Sequence, residues 1–388
     1  MSKTKRLNNV GFADSDRNLV DLAQTHGTPL YVYDLRRLRA RAAELRSALS
    51  GAGVRLFFAT MANDREPVLR LLADVGVGAC VNSIPHLDLA VASGFIPEQI
   101  QFTSTGVTTE DMRTLQRRGI RLNVDSLTQL KTWFELGALE AGIRVNAASL
   151  KRGVRDDRIG IEASEVHSAV TSAAELNGKI SGLHIYVGTN FQHHEEMLPT
   201  LEVFFDFAAS IRGLSYVNIG GGIGIDYQHH GPGFDIGAFG DAVSEYTRRL
   251  RARLEQHVEV IIEPGRGLTA DCATFITSIT DVKKLNGKRF ATVDGSIAVF
   301  PRPLLYPDSP HRVRELRTGI SSPQEIKREI ETFIVGRTTF SRDILGSSSL
   351  SGDLRVGDLL ALDDAGAYSQ SMASRFLGQP EPYAVYLD

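Results

Sequence analysis

The chain is poor in cysteine: its 388 residues include two, Cys80 and Cys272. One pair in so long a chain is no disulfide framework, and the natural reading is a reducing compartment. No apolar run approaches the roughly 18 residues that a membrane span needs. The opening stretch, Met1 to Asn9, is polar and basic, with no apolar core after it of the kind a secretory leader carries. The expectation is a soluble cytoplasmic protein with no membrane partner. Charge of one sign is lacking too. The 43 basic residues face 46 acidic ones, a net charge of −3, which asks for neither nucleic acid nor an anionic surface. There is no low-complexity tract and no short-period repeat. Two histidine pairs, His193-His194 and His229-His230, fall in expected loops without a convergent third ligand, so no metal is expected. The single tryptophan, Trp133, lies in an amphipathic segment and reads as core.

What is present is an alternation. Short β-branched or aromatic runs recur at Val54–Thr60, Gly78–Asn82, Gln101–Ser104, Arg121–Asp125, Gly142–Asn146, Ile180–Val187, Ser215–Ile219 and Glu259–Glu263. Helical patterns separate them, among them Glu66–Asp74, Thr109–Arg118, Leu127–Leu136, Glu165–Leu176 and Asp235–Gln256. Eight strands alternating with helices predict an α/β fold, a (β/α)8 barrel of the TIM kind. A doubly wound open sheet is the competing arrangement, but no GxGxxG follows the first strand.

After Arg266 the texture changes. Ala273–Val282, Phe290–Val293, Glu331–Val335 and Asp358–Leu362 read as strands with Gly, Pro and Ser between them, so a second, β-rich domain is expected. Pro29–Asp34 has strand character and is expected to join it. The predicted division is residues 1–35 joining the β domain, 36–268 the barrel and 269–388 the β-rich domain. Asp308–Glu325, polar and charged, reads as a surface excursion.

In β/α barrels the site forms at the C-terminal ends of the strands. Strand seven is followed by Gly220-Gly221-Gly222, whose backbone can approach an anion and point N–H groups at it, though a plain turn reads equally well. Strand eight ends in Glu263-Pro264-Gly265-Arg266. Arg266 can fork to a phosphate and Glu263 can pair with a protonated ring nitrogen, with a local ion pair as the simpler alternative. Strand six ends in Tyr186-Val187-Gly188-Thr189, an aromatic face and a hydroxyl about a glycine; a core tyrosine and a turn threonine would read the same. The second domain supplies Asp364-Ala365-Gly366-Ala367-Tyr368.

These pieces, in this order, resemble the ornithine/diaminopimelate/arginine decarboxylase family of fold-type III pyridoxal-phosphate enzymes. The resemblance covers nearly the whole chain. It includes Leu30-Tyr31-Val32-Tyr33-Asp34, the three glycines, Glu263–Arg266, Val293-Asp294-Gly295, Arg302-Pro303, and Gly357-Asp358 leading to Ala365–Tyr368. It implies a pyridoxal 5'-phosphate cofactor. Gly220, Gly221, Gly222, Arg266 and Tyr368 match positions that hold its phosphate, with Thr189 in place of a serine. Glu263 matches the glutamate that keeps the pyridine nitrogen protonated. Tyr186 stands where a histidine commonly stacks on the ring, and Arg302 where some branches bind a substrate carboxylate. The resemblance further implies a small amino-acid-like substrate and a homodimer with shared active sites, the loop Arg337–Asp343 reaching the partner.

The departures are as informative. The family's first strand ends in a lysine, in a pattern like aromatic-Ala-x-Lys-Ala-Asn. Here it reads Phe58-Ala59-Thr60-Met61-Ala62-Asn63. A thioether cannot form the Schiff base that holds the cofactor, so Met61 leaves a cofactor bound without a covalent link. Lys151 and Lys283 are the lysines to check as stand-ins. Cys80 and His86 stand where relatives carry acids. Thr339 and Phe340 replace a proton donor and a substrate-binding acid, with Asp343 following as a remaining acid near the substrate. A laboratory Lys→Met change and natural divergence both explain Met61, and the other departures favour divergence. The leading expectation is an amino-acid or amino-acid-conjugate decarboxylase. The alternatives are a catalytically silent ligand-binding homologue with a regulatory role, or the same fold turned to different chemistry.

Overall fold

The computed structural model describes residues 4–7, 16–151, 153, 158–231, 233–317 and 329–388. The chain divides into two units, one of Arg39–Ile225 with Pro232–Leu268, the other of Met1–Leu38, Asp226–Gly231 and Thr269–Asp388. Two strands of the latter come first in the chain, β1 (Thr4–Leu7) and β2 (Leu30–Asp34).

The first unit is a closed parallel barrel of eight strands. They are β3 (Val54–Ala59), β4 (Gly78–Val81), β5 (Ile100–Thr103), β6 (Arg121–Val124), β7 (Glu140–Val145), β8 (Lys179–Ile185), β9 (Tyr216–Asn218) and β10 (Glu259–Ile262). Each lies within two residues of its expected place. Closure is made by β10 on β3, Val260 opposite Val54, so the open-sheet alternative is excluded. Several helices between the strands begin at side-chain caps. Thr108 accepts from the Asp111 N–H while Asp111 accepts from the Thr108 N–H; Ser83 and Ser126 cap two others. Each such cap contributes about 1 kcal/mol.

Side chains alternate along a strand, so every second residue faces inward. On β10 that set is Glu259, Ile261 and, one step past the strand, Glu263. Glu259 closes the N-terminal end through Arg55 at 2.6 Å. Ile261 packs in the middle with Phe57 and Tyr216. The burial of Phe57 and Ile261 stabilises the barrel by roughly 1.5–3 kcal/mol each. Tyr216 is fully buried, its hydroxyl donating to Asn123 Oδ1 at 2.6 Å. Its ring fills a socket made by two glycines. A Cβ at Gly182 would lie 2.0 Å from the ring, and one at Gly142 2.1 Å from the hydroxyl.

The second unit is a nine-stranded mixed sheet system. Its remaining strands are β11 (Ala273–Leu285), β12 (Lys288–Val293), β13 (Val313–Leu316), β14 (Glu329–Val335), β15 (Ile344–Ser351), β16 (Leu359–Leu362) and β17 (Tyr383–Leu387). The first half of β11 pairs with β2 and β16 and its second half with β12. An Asn286-Gly287 hairpin, both residues at positive φ, joins β11 to β12. The reading of Asp308–Glu325 as a surface excursion is corrected in part: Val313–Leu316 is a strand on β16. Its charged residues disguised it, because Arg314 and Glu315 are held by Asp363 and Arg317. The rest of that stretch from residue 318 lies outside the described residues. Among the described residues no helix is long and apolar enough to cross a membrane.

Candidate active site

The inward-facing residues at the C-terminal ends of the barrel strands form one polar cluster. Its centre is Glu263. The carboxylate accepts from His184 Nε2 at 2.9 Å on one oxygen and from Asn218 Nδ2 at 2.9 Å on the other. Burial alone would raise this acid, but His184, Asn218 and Cys80 together outweigh it and hold the carboxyl below its ordinary value. Burial pushes the His184 imidazole down despite the neighbouring Glu263, so at neutral pH His184 is the uncharged donor and Glu263 the anion. The Cys80 thiol is pushed well up by burial and then by Glu263, so it stays protonated. Next to this group Arg144 meets Asp125 at 3.2 Å, with the Arg144 guanidinium 5.8 Å from the Tyr186 ring centroid. Burial raises the Asp125 carboxyl more than Arg144 lowers it.

The glycine turn follows directly from β9. Gly220 and Gly222 have φ of 70° and 100°, a region costly for any residue with a Cβ. The backbone is also crowded there. A Cβ at Gly220 would sit 2.4 Å from the Ile185 carbonyl oxygen, and one at Gly221 2.8 Å from that of Glu263. Gly220 accepts from the Glu263 N–H at 2.9 Å, so turn and acid are joined through the backbone. Arg266 is buried and opens a short helical turn, Arg266–Thr269. Beside these lies a cavity of about 410 Å³ lined by Asn146, Lys151, Tyr186, Thr189, Glu196 and Thr200, among others. A glycine turn open to an anion, a buried arginine and an ionised buried acid fit a phosphorylated, protonated heteroaromatic ring. Among the described residues no group of His, Cys, Asp and Glu is placed to hold a metal.

Met61 sits in the helical turn Thr60–Ala62 after β3 and is 48% exposed. The neighbouring Thr60 hydroxyl donates to the Cys80 carbonyl at 3.0 Å and lies 3.1 Å from His86 Nδ1. Thus Thr60, Cys80 and His86 are one hydrogen-bonded group.

The barrel unit therefore gathers Tyr186, Thr189, Gly220, Gly221, Gly222, Glu263 and Arg266 at its strand ends. Thr339, Phe340, Asp343, Arg302 and Tyr368 belong to the other unit. There Tyr368 has a φ of 55° and packs 6.1 Å from the Tyr306 ring. Arg302 is fully buried, its guanidinium 3.5 Å from the Tyr227 ring centroid and donating to Ser309. Asp343 is buried as well. One oxygen accepts from the Ile297 N–H at 2.9 Å, and the other from the Thr338 N–H at 2.9 Å and the Thr338 hydroxyl. Its carboxylate is thus engaged by Thr338 of the same loop and by the Ile297 backbone. That loop leaves Thr339 and Phe340 exposed, with Phe340 edge-on to Phe376.

Reading strand ends alone missed His184, Asn218 and Gln101. The signal was there, because each is a polar residue inside an apolar strand, and His184 and Asn218 each stand two before a residue singled out, Tyr186 and Gly220 respectively.

Comparison with known proteins agrees with this geometry. Residues 35–270 match the family model described as pyridoxal-dependent decarboxylase, pyridoxal binding domain. The chain is 29% identical over 379 residues to a diaminopimelate decarboxylase of Archaeoglobus fulgidus, covering 93% of this chain and 88% of that one. It is 30% identical over 374 residues to a probable chloroplastic diaminopimelate decarboxylase of Oryza sativa, covering 90% and 73%. Among solved structures, diaminopimelate decarboxylase from Helicobacter pylori complexed with L-lysine superposes with a TM-score of 0.84 at 26% identity, covering 96% of this chain and 94% of that one. A buried ionised acid beside a glycine turn, on a closed barrel that matches the family's own binding domain, leads to one conclusion: the chain belongs to the pyridoxal-dependent decarboxylases, and pyridoxal phosphate is its cofactor.

Proposed function

We propose that the protein decarboxylates an amino acid or amino-acid conjugate and holds pyridoxal phosphate without a covalent link. The observation that carries this reading is Glu263, buried yet kept ionised by His184 and Asn218. Such an acid holds a proton on a pyridine nitrogen. The protonated ring, when bound, draws in the electron pair left behind by a departing carboxylate. The N–H groups of Gly221 and Gly222, with Arg266 and Thr189, bind the phosphate, while Gly220, whose own N–H is taken by Asn218, shapes the turn. Tyr186 offers an aromatic face to the ring. Met61 occupies the position of the family's lysine, and its thioether forms no bond to an aldehyde. Phe340, in place of a substrate-binding acid, favours a substrate without a basic distal group. The protein works in the cytoplasm as a homodimer with shared sites; a monomer in light scattering at micromolar concentration would end that part of the proposal.

A second reading is favoured by Met61 together with Thr339 and Phe340: a homologue that binds the cofactor and turns nothing over. One set of measurements separates them. Titration with pyridoxal phosphate should give the free-aldehyde absorbance, and borohydride should fix no cofactor to the chain. Carbon-dioxide release is then assayed over diaminopimelate, lysine, ornithine and N-acylated amino acids. Release from any of these supports the enzyme, silence across the panel the binder. A stoichiometric reduced adduct on a lysine overturns the non-covalent reading.

A further inference from the structure

Asn218 is fully buried on β9, two residues before Gly220, and both ends of its side-chain amide are engaged. Nδ2 donates to Glu263 Oε2 at 2.9 Å and to Gln101 Oε1 at 2.7 Å. Oδ1 accepts the Gly220 N–H at 2.9 Å. These three groups engage both N–H donors of the amide and its carbonyl acceptor. The orientation is fixed by chemistry. Turned over, the amide would set its oxygen against the Glu263 carboxylate and its NH2 against the Gly220 N–H, two acceptors facing at one end and two donors at the other.

We infer that Asn218 is a positioning residue that couples the acid to the anion-binding turn. The inference rests on the roles given above to Glu263 and the glycines. One rigid planar group spans from the carboxylate to the first N–H of the turn, so a displacement at either end is passed to the other. The ring-nitrogen partner and the phosphate cradle are thereby held to a common length. Gln101 steadies the amide from the side opposite the carboxylate. The titratable and charged groups facing this network are His184 from β8 and Cys80 from β4, with the Arg144–Asp125 pair from β7 and the end of β6 behind them. A residue that merely filled a polar hole in the core would stabilise the barrel without transmitting anything between the two ends.

The test uses the full-length protein without cofactor, so it does not depend on turnover. Amide hydrogen exchange of the Gly220–Gly222 turn is measured in the parent, Glu263→Gln, Asn218→Leu and the double variant. Replacing the carboxylate by an amide removes the charge that Asn218 Nδ2 faces and weakens that hydrogen bond, and Asn218 is the route by which the disturbance reaches the turn. Glu263→Gln should quicken exchange in the turn by about tenfold, the value of one hydrogen bond, and should add nothing once Asn218 is leucine. If Asn218→Leu does not fold, Asn218→Ser serves. A serine hydroxyl keeps a local acceptor for the Gly220 N–H but is too short to reach Glu263, so the turn stays protected and becomes indifferent to Glu263→Gln. Exchange that ignores Glu263→Gln in the parent overturns the inference, as does an equal effect with and without Asn218. A second readout is the affinity for pyridoxal phosphate and for inorganic phosphate, both of which should fall in Asn218→Leu. If the parent binds neither, the proposed function fails while the exchange result stands or falls by itself.

Discussion

Gly220→Ala tests the reading of the glycine turn by arithmetic. Two costs add. The backbone at Gly220 has a φ of 70°, and a Cβ in the left-handed region costs roughly 1–2 kcal/mol. The new Cβ also lands 2.4 Å from the Ile185 carbonyl oxygen, at the end of β8. That contact must open by roughly 0.6–1.0 Å, and overpacking of this kind costs about 1–3 kcal/mol. Gly53 isolates the first cost, since its φ is 60° and nothing lies within 4 Å of the position of a Cβ. Gly53→Ala should therefore lose roughly 1–2 kcal/mol and Gly220→Ala roughly 2–5 kcal/mol in urea unfolding of the cofactor-free protein. The variants should also differ in binding, because only Gly220 belongs to the turn. Pyridoxal phosphate should stabilise Gly53→Ala as much as the parent and Gly220→Ala far less. Equal destabilisation by the two substitutions would refute the steric reasoning. An unchanged affinity in Gly220→Ala would refute the cradle itself.

Three further outcomes are expected. Met61→Lys should cost little stability, because the side chain is half exposed and the new ammonium stays hydrated; borohydride should then fix one cofactor per chain, detected by mass. Asp364 is raised by burial to about 6 from 3.8, despite His229 at 2.7 Å. Stability from a group raised in this way is fully present below about 3.8 and is lost as pH climbs through about 6, about 3 kcal/mol in all. Asp364→Asn removes that slope, so the variant should gain on the parent between pH 4.5 and 7.5, and parallel stability curves would contradict it. Asp343→Ala strips the loop Gly336–Asp343 of the acceptor of two backbone N–H groups and a hydroxyl. A loss of about 2–4 kcal/mol and faster proteolysis at Phe340 should follow.

The barrel was legible because its strands are largely buried on both faces and carry β-branched and aromatic runs such as Val260-Ile261-Ile262. The second unit was harder to read. Strand β15 is Ile-Leu-Gly-Ser-Ser-Ser-Leu-Ser, which has the composition of a loop and becomes a strand only because β14 pairs along its length. Strand β13 hid its edge among charges. In the site, residues at strand ends could be found because barrel geometry says where to look. His184 and Asn218 could not be found that way, since their roles come from strands distant in sequence: Asn218 is 117 residues from Gln101, and His184 is 79 from Glu263. What holds Asp343 was hidden too, because an acid in a loop offers no sign of which backbone N–H groups will claim it.

The glycine socket around Tyr216 acts as a parity check on the barrel. A strand that slips by one residue keeps its hydrogen bonds but exchanges its inner and outer faces. If β8 slipped by one against β9, Leu183 or Ser181 would face the tyrosine ring in place of Gly182, in a space where even a methyl group would lie 2.0 Å from ring carbon. The same slip at β7 would bring Ala141 or Ile143 against the hydroxyl. Wrong registers are thus rejected near the middle of the barrel, far from any reacting atom. What the rejection protects is the mouth, since His184 shares a strand with Gly182, Arg144 with Gly142, and Asn218 with Tyr216 itself. A packing constraint among three residues with no chemistry of their own decides which side chains stand beside Glu263.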